Sequence, residues 1–262
     1  MFNTELDDQL IRRRREWTFL ILAGIFLGSL TMLNILGVSR FIDLSSWIGI
    51  SDESDFRFAI AVGVLPYPIT FLCTDLISEL YGRKRANMVV WVGLFLNLWV
   101  LAVLWLGGTL NAPDGLVDGT LTPEIVDGKV EVPYGYAFYE IRKLTFGATM
   151  ASMIAYIAAQ FIDVQIYHAL KKRTKGKMLW LRNNVSTISS QLIDTVAVIL
   201  ITHYYAHALP MQEDVSAEYQ LFMFILSGYL FKFFFALFDT IPIYIAVRYL
   251  RKFLKIEDEL SF

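Results

Sequence analysis

The sequence predicts an all-α membrane protein with six transmembrane helices, and two observations support this fold class. Of the 262 residues, 56% are hydrophobic and only 18% are charged, whereas soluble domains carry roughly 25% charged residues. The chain also contains six mostly apolar runs, each long enough to cross a bilayer, for which a helix needs about 20 residues. They cover residues 17–38, 58–81, 87–106, 144–168, 185–206 and 221–249. We therefore expect a single transmembrane domain over residues 1–262.

The distribution of Lys and Arg orients these spans, because cytoplasmic loops of membrane proteins are enriched in both residues. Seventeen of the 23 lie in segments on one side of the predicted membrane, at 12–15, 83–85, 171–182 and 248–255. Five lie in the opposite loops, and Lys232 lies within the last span. Both termini are accordingly predicted to be cytoplasmic. The long loop 107–140 is predicted to lie outside, with a short strand pair at 120–132.

Six ionisable residues fall within the predicted spans, where a charge at mid-bilayer costs about 2.5–3.5 kcal/mol. They are Asp75, Glu79, Asp163, Asp194, Lys232 and Asp239. Counted at 1.5 Å per residue from the nearest cytoplasmic Lys or Arg, the four aspartates lie roughly 12–18 Å from the inner interface. This common depth predicts a polar layer, built from four helices, in the inner half of the membrane. Glu79 is closer to the interface and could instead extend toward Arg83.

Two similar segments, AAQFID at 158–163 and SSQLID at 189–194, lie on the antiparallel fourth and fifth spans. Counting residues from the cytoplasmic ends places Gln160 level with Asp194, and Asp163 level with Gln191. These pairs either join the two helices through hydrogen bonds, which contribute about 0.6 kcal/mol each on average, or contact a ligand.

The buried charges of the predicted layer do not balance. Lys232 and Asp239 are two turns apart on one face of the last span, and five carboxylates compete for the single ammonium group. Several unpaired charges at low dielectric are too costly, so some of the acids must be protonated, hydrated or bound to a cationic ligand. Proton coupling follows as a hypothesis, which uptake that ignored pH and proton gradients would exclude.

No catalytic or nucleic-acid-binding pattern accompanies this layer. The net charge of −2 argues against a nucleic-acid surface, and the sequence has no HExxH, GxSxG or P-loop motif, so it does not predict an enzyme. The lone Cys73 offers neither a disulfide nor a metal framework, and we expect no metal or other cofactor. An intramembrane carboxylate dyad of Asp194 and Asp239, or a purely structural role, lacks supporting sequence context.

Three blocks of the sequence resemble the signature blocks of the queuosine precursor transporter family, also described as vitamin uptake transporters. They are PYPITFLCTDLISELYGRKRA (66–86), KGKMLWLRNNVSTISSQLIDT (175–195) and KFFFALFDTIPIY (232–244). The resemblance implies a multi-pass protein of the inner membrane that imports 7-cyano-7-deazaguanine or 7-aminomethyl-7-deazaguanine. These small bases are precursors of the tRNA nucleoside queuosine.

The polar layer suits such a base on chemical grounds. The ring N–H and exocyclic amine form a donor pair for a carboxylate, the carbonyl oxygen needs a donor such as Gln, Asn or Lys, and the ring can stack on an aromatic side chain at about 1–3 kcal/mol. The candidate binding residues are Asp75, Glu79, Gln160, Asp163, Gln191, Asp194, Lys232, Asp239, Asn184 and Tyr67, with Phe71, Tyr156 and Phe235 nearby. Asn184 and its neighbours in LRNNVST (181–187) could alternatively cap the start of the fifth helix.

Two modes of transport fit a chain of this size. The protein could act alone, as a facilitator or a proton-coupled carrier, or it could be the substrate-binding subunit of an importer that needs a separate ATPase module. Small residues on the first span, at 23, 24, 28 and 29, could pack against a partner helix or a second copy of the chain. Uptake in a host without such a module separates the two modes.

Overall fold

The computed structural model describes residues 2–37, 39–45, 49, 58–110, 124–126, 129–132, 134–175, 178–207, 209, 211 and 215–256. Within them lie six α-helices: α1 (Phe2–Leu36), α2 (Tyr67–Tyr81), α3 (Arg83–Gly107), α4 (Tyr136–Arg173), α5 (Leu179–Ile201) and α6 (Ala217–Leu254). Two antiparallel hairpins pair β1 (Phe41–Asp43) with β2 (Ala59–Ala61), and β3 (Glu124–Val126) with β4 (Lys129–Glu131). The all-α class is confirmed, and β3 and β4 fall within the interval 120–132.

Four helical stretches in the described part of the chain are long and apolar enough to cross a membrane. They are Asp7–Leu36, Lys84–Gly107, Asn184–Tyr205 and Ala217–Leu254. Large apolar side chains cover their outer surfaces, as at Trp91 and Phe95 of α3, which are each 69% exposed. Such surfaces are stable in contact with lipid tails, so the chain is a multi-pass membrane protein. The count of six spans and the cytoplasmic position of both termini stay predictions.

The second predicted span, 58–81, is interrupted at the position that its two prolines, Pro66 and Pro68, indicate. Only Tyr67–Tyr81 is α-helical, and 15 residues extend about 22 Å, which is less than the roughly 30 Å of a hydrocarbon core. The helix begins here because Pro68 has no backbone N–H and is tolerated only in a first turn. Strand β2 and a 3-10 turn, Val62–Val64, precede it.

The non-helical segment before α2 is hydrogen-bonded to the end of α1 and to the residues that follow it. The amide of Gly63 donates to the carbonyl of Gly37 at 3.0 Å, and the amide of Val62 donates to the carbonyl of Arg40 at 2.8 Å. A Cβ atom at Gly63 would lie 2.7 Å from the carbonyl oxygens of Gly37 and Leu33. Only glycine allows this close approach, through which the backbone polar groups are satisfied away from water.

The remaining spans are longer than predicted or differ at their ends. Helix α6 continues through Pro242 without a break, and α5 begins at Leu179, earlier than the predicted start at 185. A π-helix, Thr202–Ala206, follows α5 directly. Helix α5 packs between α4 and α6, and α2 packs against α1 and α6. The polar faces of α2, α4, α5 and α6 therefore point toward a common interior.

Candidate functional site

The most buried charged group of this interior is the carboxylate of Asp194 on α5, which is 2% exposed. Its Oδ2 atom accepts a hydrogen bond from the Nζ of Lys232 on α6 at 2.6 Å and one from the hydroxyl of Tyr67 at 3.0 Å. Tyr67 is the first residue of α2. Three separate elements therefore meet at one carboxylate, and the break that starts α2 is what brings Tyr67 to this position.

The pair of Lys232 and Asp194 is almost completely withdrawn from solvent. Their side chains are 5% and 3% exposed, and the Lys232 ammonium also lies 4.2 Å from the centre of the Tyr67 ring, a cation–π distance. Of the five carboxylates in the predicted spans, Asp194 is thus the one described as the partner of Lys232. A carboxylate paired with an ammonium in this way does not form an acid dyad with Asp239.

A second carboxylate, that of Asp163 on α4, lies against the neighbouring face of α5. Its Oδ1 atom is 3.4 Å from the hydroxyl of Ser190, and the hydroxyl of Ser186 also hydrogen-bonds to this carboxylate. Ser186, Ser190 and Asp194 are spaced i, i+4, i+8 and so share one side of α5. Tyr156, two turns before Asp163 on α4, interacts electrostatically with both Asp163 and Asp194.

One acceptor atom of this cluster has no donor among the described residues. Both hydrogen bonds described for Asp194 end on its Oδ2 atom. The side chain of Gln191 is on the next turn and is 4% exposed, and its Oε1 atom receives no hydrogen bond within the part of the chain that the structure describes. A buried, unsatisfied carbonyl costs about 1–3 kcal/mol, and a ligand that donated to it would recover this energy.

The predicted pair of Asp163 and Gln191 is not among the contacts that the structure describes. The sequence places Asp163 level with Gln191, and the described partners of Asp163 are Ser190, which is next to Gln191, and Ser186. Helix rotation explains the difference, because residue counting measures depth in the membrane and not the direction in which a side chain points. The side chain of Gln160 lies outside the described residues.

The remaining candidates have other described positions or partners. Glu79 forms an ion pair with Arg251 near the ends of α2 and α6, and Asp239 is buried on α6 two turns beyond Lys232. Asp75 is half-buried on α2, one turn before Glu79. Asn184 does not cap α5, because it lies inside that helix and donates to the carbonyl of Trp180 at 2.8 Å.

Some residues that contact the candidate side chains were not among the predicted site residues. Ser186 and Ser190 are short polar side chains that are common in helix interfaces, and only their i, i+4, i+8 spacing with Asp194 distinguishes them. Arg251, the partner of Glu79, lies 172 residues further along the chain, and no local pattern links the two. Of the aromatic candidates, Phe71 packs near Tyr67 with ring centres 5.6 Å apart, whereas Phe235 is 38% exposed.

Comparison with known proteins identifies a family that this chain matches. The family described as "Putative vitamin uptake transporter" matches residues 61–246, a range that includes every residue of the cluster. A protein of Bacillus subtilis (strain 168) named "Probable queuosine precursor transporter" is 30% identical over 141 residues, which cover 53% of this chain and 55% of that protein. A Haemophilus influenzae protein of the same name is 24% identical over 194 residues, which cover 73% and 69% respectively. The first alignment thus spans little more than half of that relative's length. No solved structure matches the chain.

Proposed function

This chain belongs to the vitamin uptake transporter family, and on that basis we propose that it is a membrane transporter that imports queuosine precursors, 7-cyano- or 7-aminomethyl-7-deazaguanine. The two relatives named as queuosine precursor transporters support this substrate class, as does the resemblance of the sequence blocks, which the family match confirms. The family is one of transporters and not of enzymes. A location in the inner membrane fits a bacterial transporter.

The observation that carries the proposal is the buried arrangement of Lys232, Asp194 and Gln191. The ammonium of Lys232 retains donor capacity beyond its bond to Asp194, the Asp194 carboxylate is an acceptor, and Gln191 Oε1 has no donor among the described residues. One edge of a deazaguanine carries the complementary groups: a carbonyl oxygen, a ring N–H and an exocyclic amine. A buried site of this kind rejects analogues that lack the N–H groups, because their acceptors then stay unpaired.

Aromatic rings beside the carboxylate give the flat base a surface. Tyr67 touches the Asp194 cluster through its hydroxyl and lies next to Phe71, and Tyr156 interacts electrostatically with the same cluster from α4. Stacking of a base on such a ring contributes about 1–3 kcal/mol. The charged edge would fix the orientation of the base, and the rings would supply much of its affinity.

The break before α2 is consistent with transport. Many transporters bind substrate where discontinuous helices meet near the middle of the membrane, because backbone that leaves the helix there lines a cavity. Here α2 starts at Tyr67, and Tyr67 contacts Asp194 directly. A movement of α2 relative to α5 and α6 would therefore change the site itself.

Uptake and binding by Asp194→Asn test this proposal. The substitution removes the charge that Lys232 and Tyr67 hold, so we expect binding of both deazaguanines to be lost. Because it also leaves the buried Lys232 without its partner, the double variant Lys232→Met with Asp194→Asn, which removes both charges, is measured beside it and should also bind neither base. Asp8→Asn is the matched control, since Asp8 is exposed on the extension of α1 and should retain full uptake. Wild-type protein that binds neither base, or Asp194→Asn protein that binds both normally, would overturn the proposal.

The same wild-type protein can show what drives transport. In proteoliposomes that contain only the purified chain, accumulation or exchange of a labelled base would establish that no ATPase module is needed. Binding without any exchange would instead favour the role of a substrate-binding subunit.

A further inference from the structure

The two carboxylates on the α4–α5 interface differ in how their charge is compensated. Asp194 is held by the ammonium of Lys232 at 2.6 Å. Asp163 contacts only neutral hydroxyl donors among the residues that the structure describes. One of these donors is shared, because the Ser190 hydroxyl also lies 3.0 Å from the carbonyl of Thr187. The Asp163 carboxylate is thus the less well compensated negative charge beside the proposed base site.

The two carboxylates lie near each other at the α4–α5 interface. Ser190, which contacts Asp163, is one helical turn from Asp194, and this corresponds to about 6 Å along the axis of α5. Tyr156 interacts electrostatically with both carboxylates. A small base held by its donor edge at Asp194 therefore has Asp163 within reach of an extended 7-substituent.

Gln191, on the same turn of α5, independently indicates that a ligand binds here. Gln191 lies between Ser190 and Asp194 in the sequence, its side chain is more than nine-tenths buried, and its Oε1 has no donor among the described residues. An unpaired carbonyl on the turn that joins the two carboxylates is costly in the empty protein. A bound molecule with N–H groups would satisfy it.

From these contacts we propose that Asp163 binds a protonated amine on the substrate, so that the protein selects the aminomethyl base over the cyano base. This inference depends on the proposed function, because it assigns the second end of the same ligand. The aminomethyl group is a cation at neutral pH and can donate to the carboxylate. The nitrile is uncharged and has no proton to donate, so it leaves Asp163 with its hydroxyl partners alone.

Three ligands and two variants test the assignment by calorimetric binding to the purified protein. The ligands are the aminomethyl base, the cyano base and the N-acetylated aminomethyl base, which keeps the 7-substituent but removes its charge. A charge-assisted hydrogen bond predicts that the wild type binds the aminomethyl base roughly 10- to 100-fold more tightly than the other two. Asp163→Asn should remove this preference, so that the three ligands bind with similar affinity. The matched control Asp8→Asn should keep the preference.

The outcomes distinguish a failure of the Asp163 assignment from a failure of the proposed function. Equal wild-type affinity for the charged and acetylated ligands, or an Asp163→Asn protein that keeps the wild-type preference, would overturn the assignment of Asp163 while the proposed function stands. Wild-type protein that binds none of the three ligands would overturn the proposed function as well. If Asp163→Asn does not yield folded protein, the comparison of charged and acetylated ligands on the wild type still decides the question.

Discussion

Replacing Lys232 by Met removes the ammonium group beside Asp194 and keeps an unbranched side chain of similar length. In the native protein the two groups are 2.6 Å apart and their side chains are 5% and 3% exposed. Lys232→Met leaves the carboxylate with the hydroxyl of Tyr67 as its remaining described donor. An ionised carboxylate cannot stay in this environment without a large energetic cost, so the variant should be strongly destabilised.

The size of the effect follows from the geometry of the pair. At 2.6 Å and an effective dielectric constant of about 20, the attraction between two unit charges is about 6 kcal/mol. Much of this offsets the desolvation of the two ions. Removal of one partner of a buried pair costs about 3–5 kcal/mol, because the other charge stays behind. We expect Lys232→Met to lose about this much in free energy of unfolding.

The double variant Lys232→Met with Asp194→Asn separates stability from binding. It removes both charges, so its stability should return close to that of the wild type, as found when buried ion pairs are replaced by neutral groups. Its affinity for deazaguanines should not return, because Asp194 is also the proposed acceptor for the base. Reversible denaturation of the purified protein in mixed micelles, followed by tryptophan fluorescence, gives the first quantity, and calorimetry gives the second.

Two results would refute this reasoning about the pair. If Lys232→Met unfolds at the same denaturant concentration as the wild type, the pair does not balance a buried charge. If the double variant binds the base with wild-type affinity, Asp194 serves only to hold α5 and α6 together.

Two further predictions concern the parts of the fold that hold the site. Gly63→Ala should abolish folded protein, because the added Cβ would lie 2.7 Å from two carbonyl oxygens, whereas the control Gly24→Ala, whose Cβ meets nothing within 4 Å, should be neutral. Size-exclusion profiles of both variants test this prediction. A monodisperse Gly63→Ala protein would contradict it. Arg251→Glu should cost about 1.5–3 kcal/mol because it breaks the charged hydrogen bond to Glu79, and the swap with Glu79→Arg should restore stability in the same denaturation assay. A swapped protein no more stable than Arg251→Glu would show that the pair adds nothing.

The sequence predicts which polar residues are buried better than the directions in which they point. Charges inside apolar runs are visible without a structure, and Asp194 and Lys232, both predicted to lie within spans, meet in the interior. The rotation of each helix depends on packing against several neighbours at once, which is why the sequence does not single out Ser190 as a contact of Asp163. Asn184 lies inside α5 because this helix begins earlier than predicted, at Leu179.

The break before α2 shows a second limit of sequence-based prediction. Hydropathy is continuous from residue 58 to residue 81, so the run is read as one span, and the two prolines indicate only that something interrupts it. The path of the chain before Tyr67 depends on partners in α1, since Gly63 bonds to the carbonyl of Gly37. Such a contact between distant residues leaves no local periodicity in the sequence.

The meeting of α2, α5 and α6 at one carboxylate links occupancy of the site to the arrangement of these helices. Tyr67 and Lys232 both donate to Oδ2 of Asp194. A base that donates to the same carboxylate and accepts from Lys232 contacts the groups that hold the start of α2 and the middle of α6 against α5. A ligand shifts a conformational equilibrium by its difference in affinity for the two states, and here the groups proposed to bind the ligand are the same groups that join the helices.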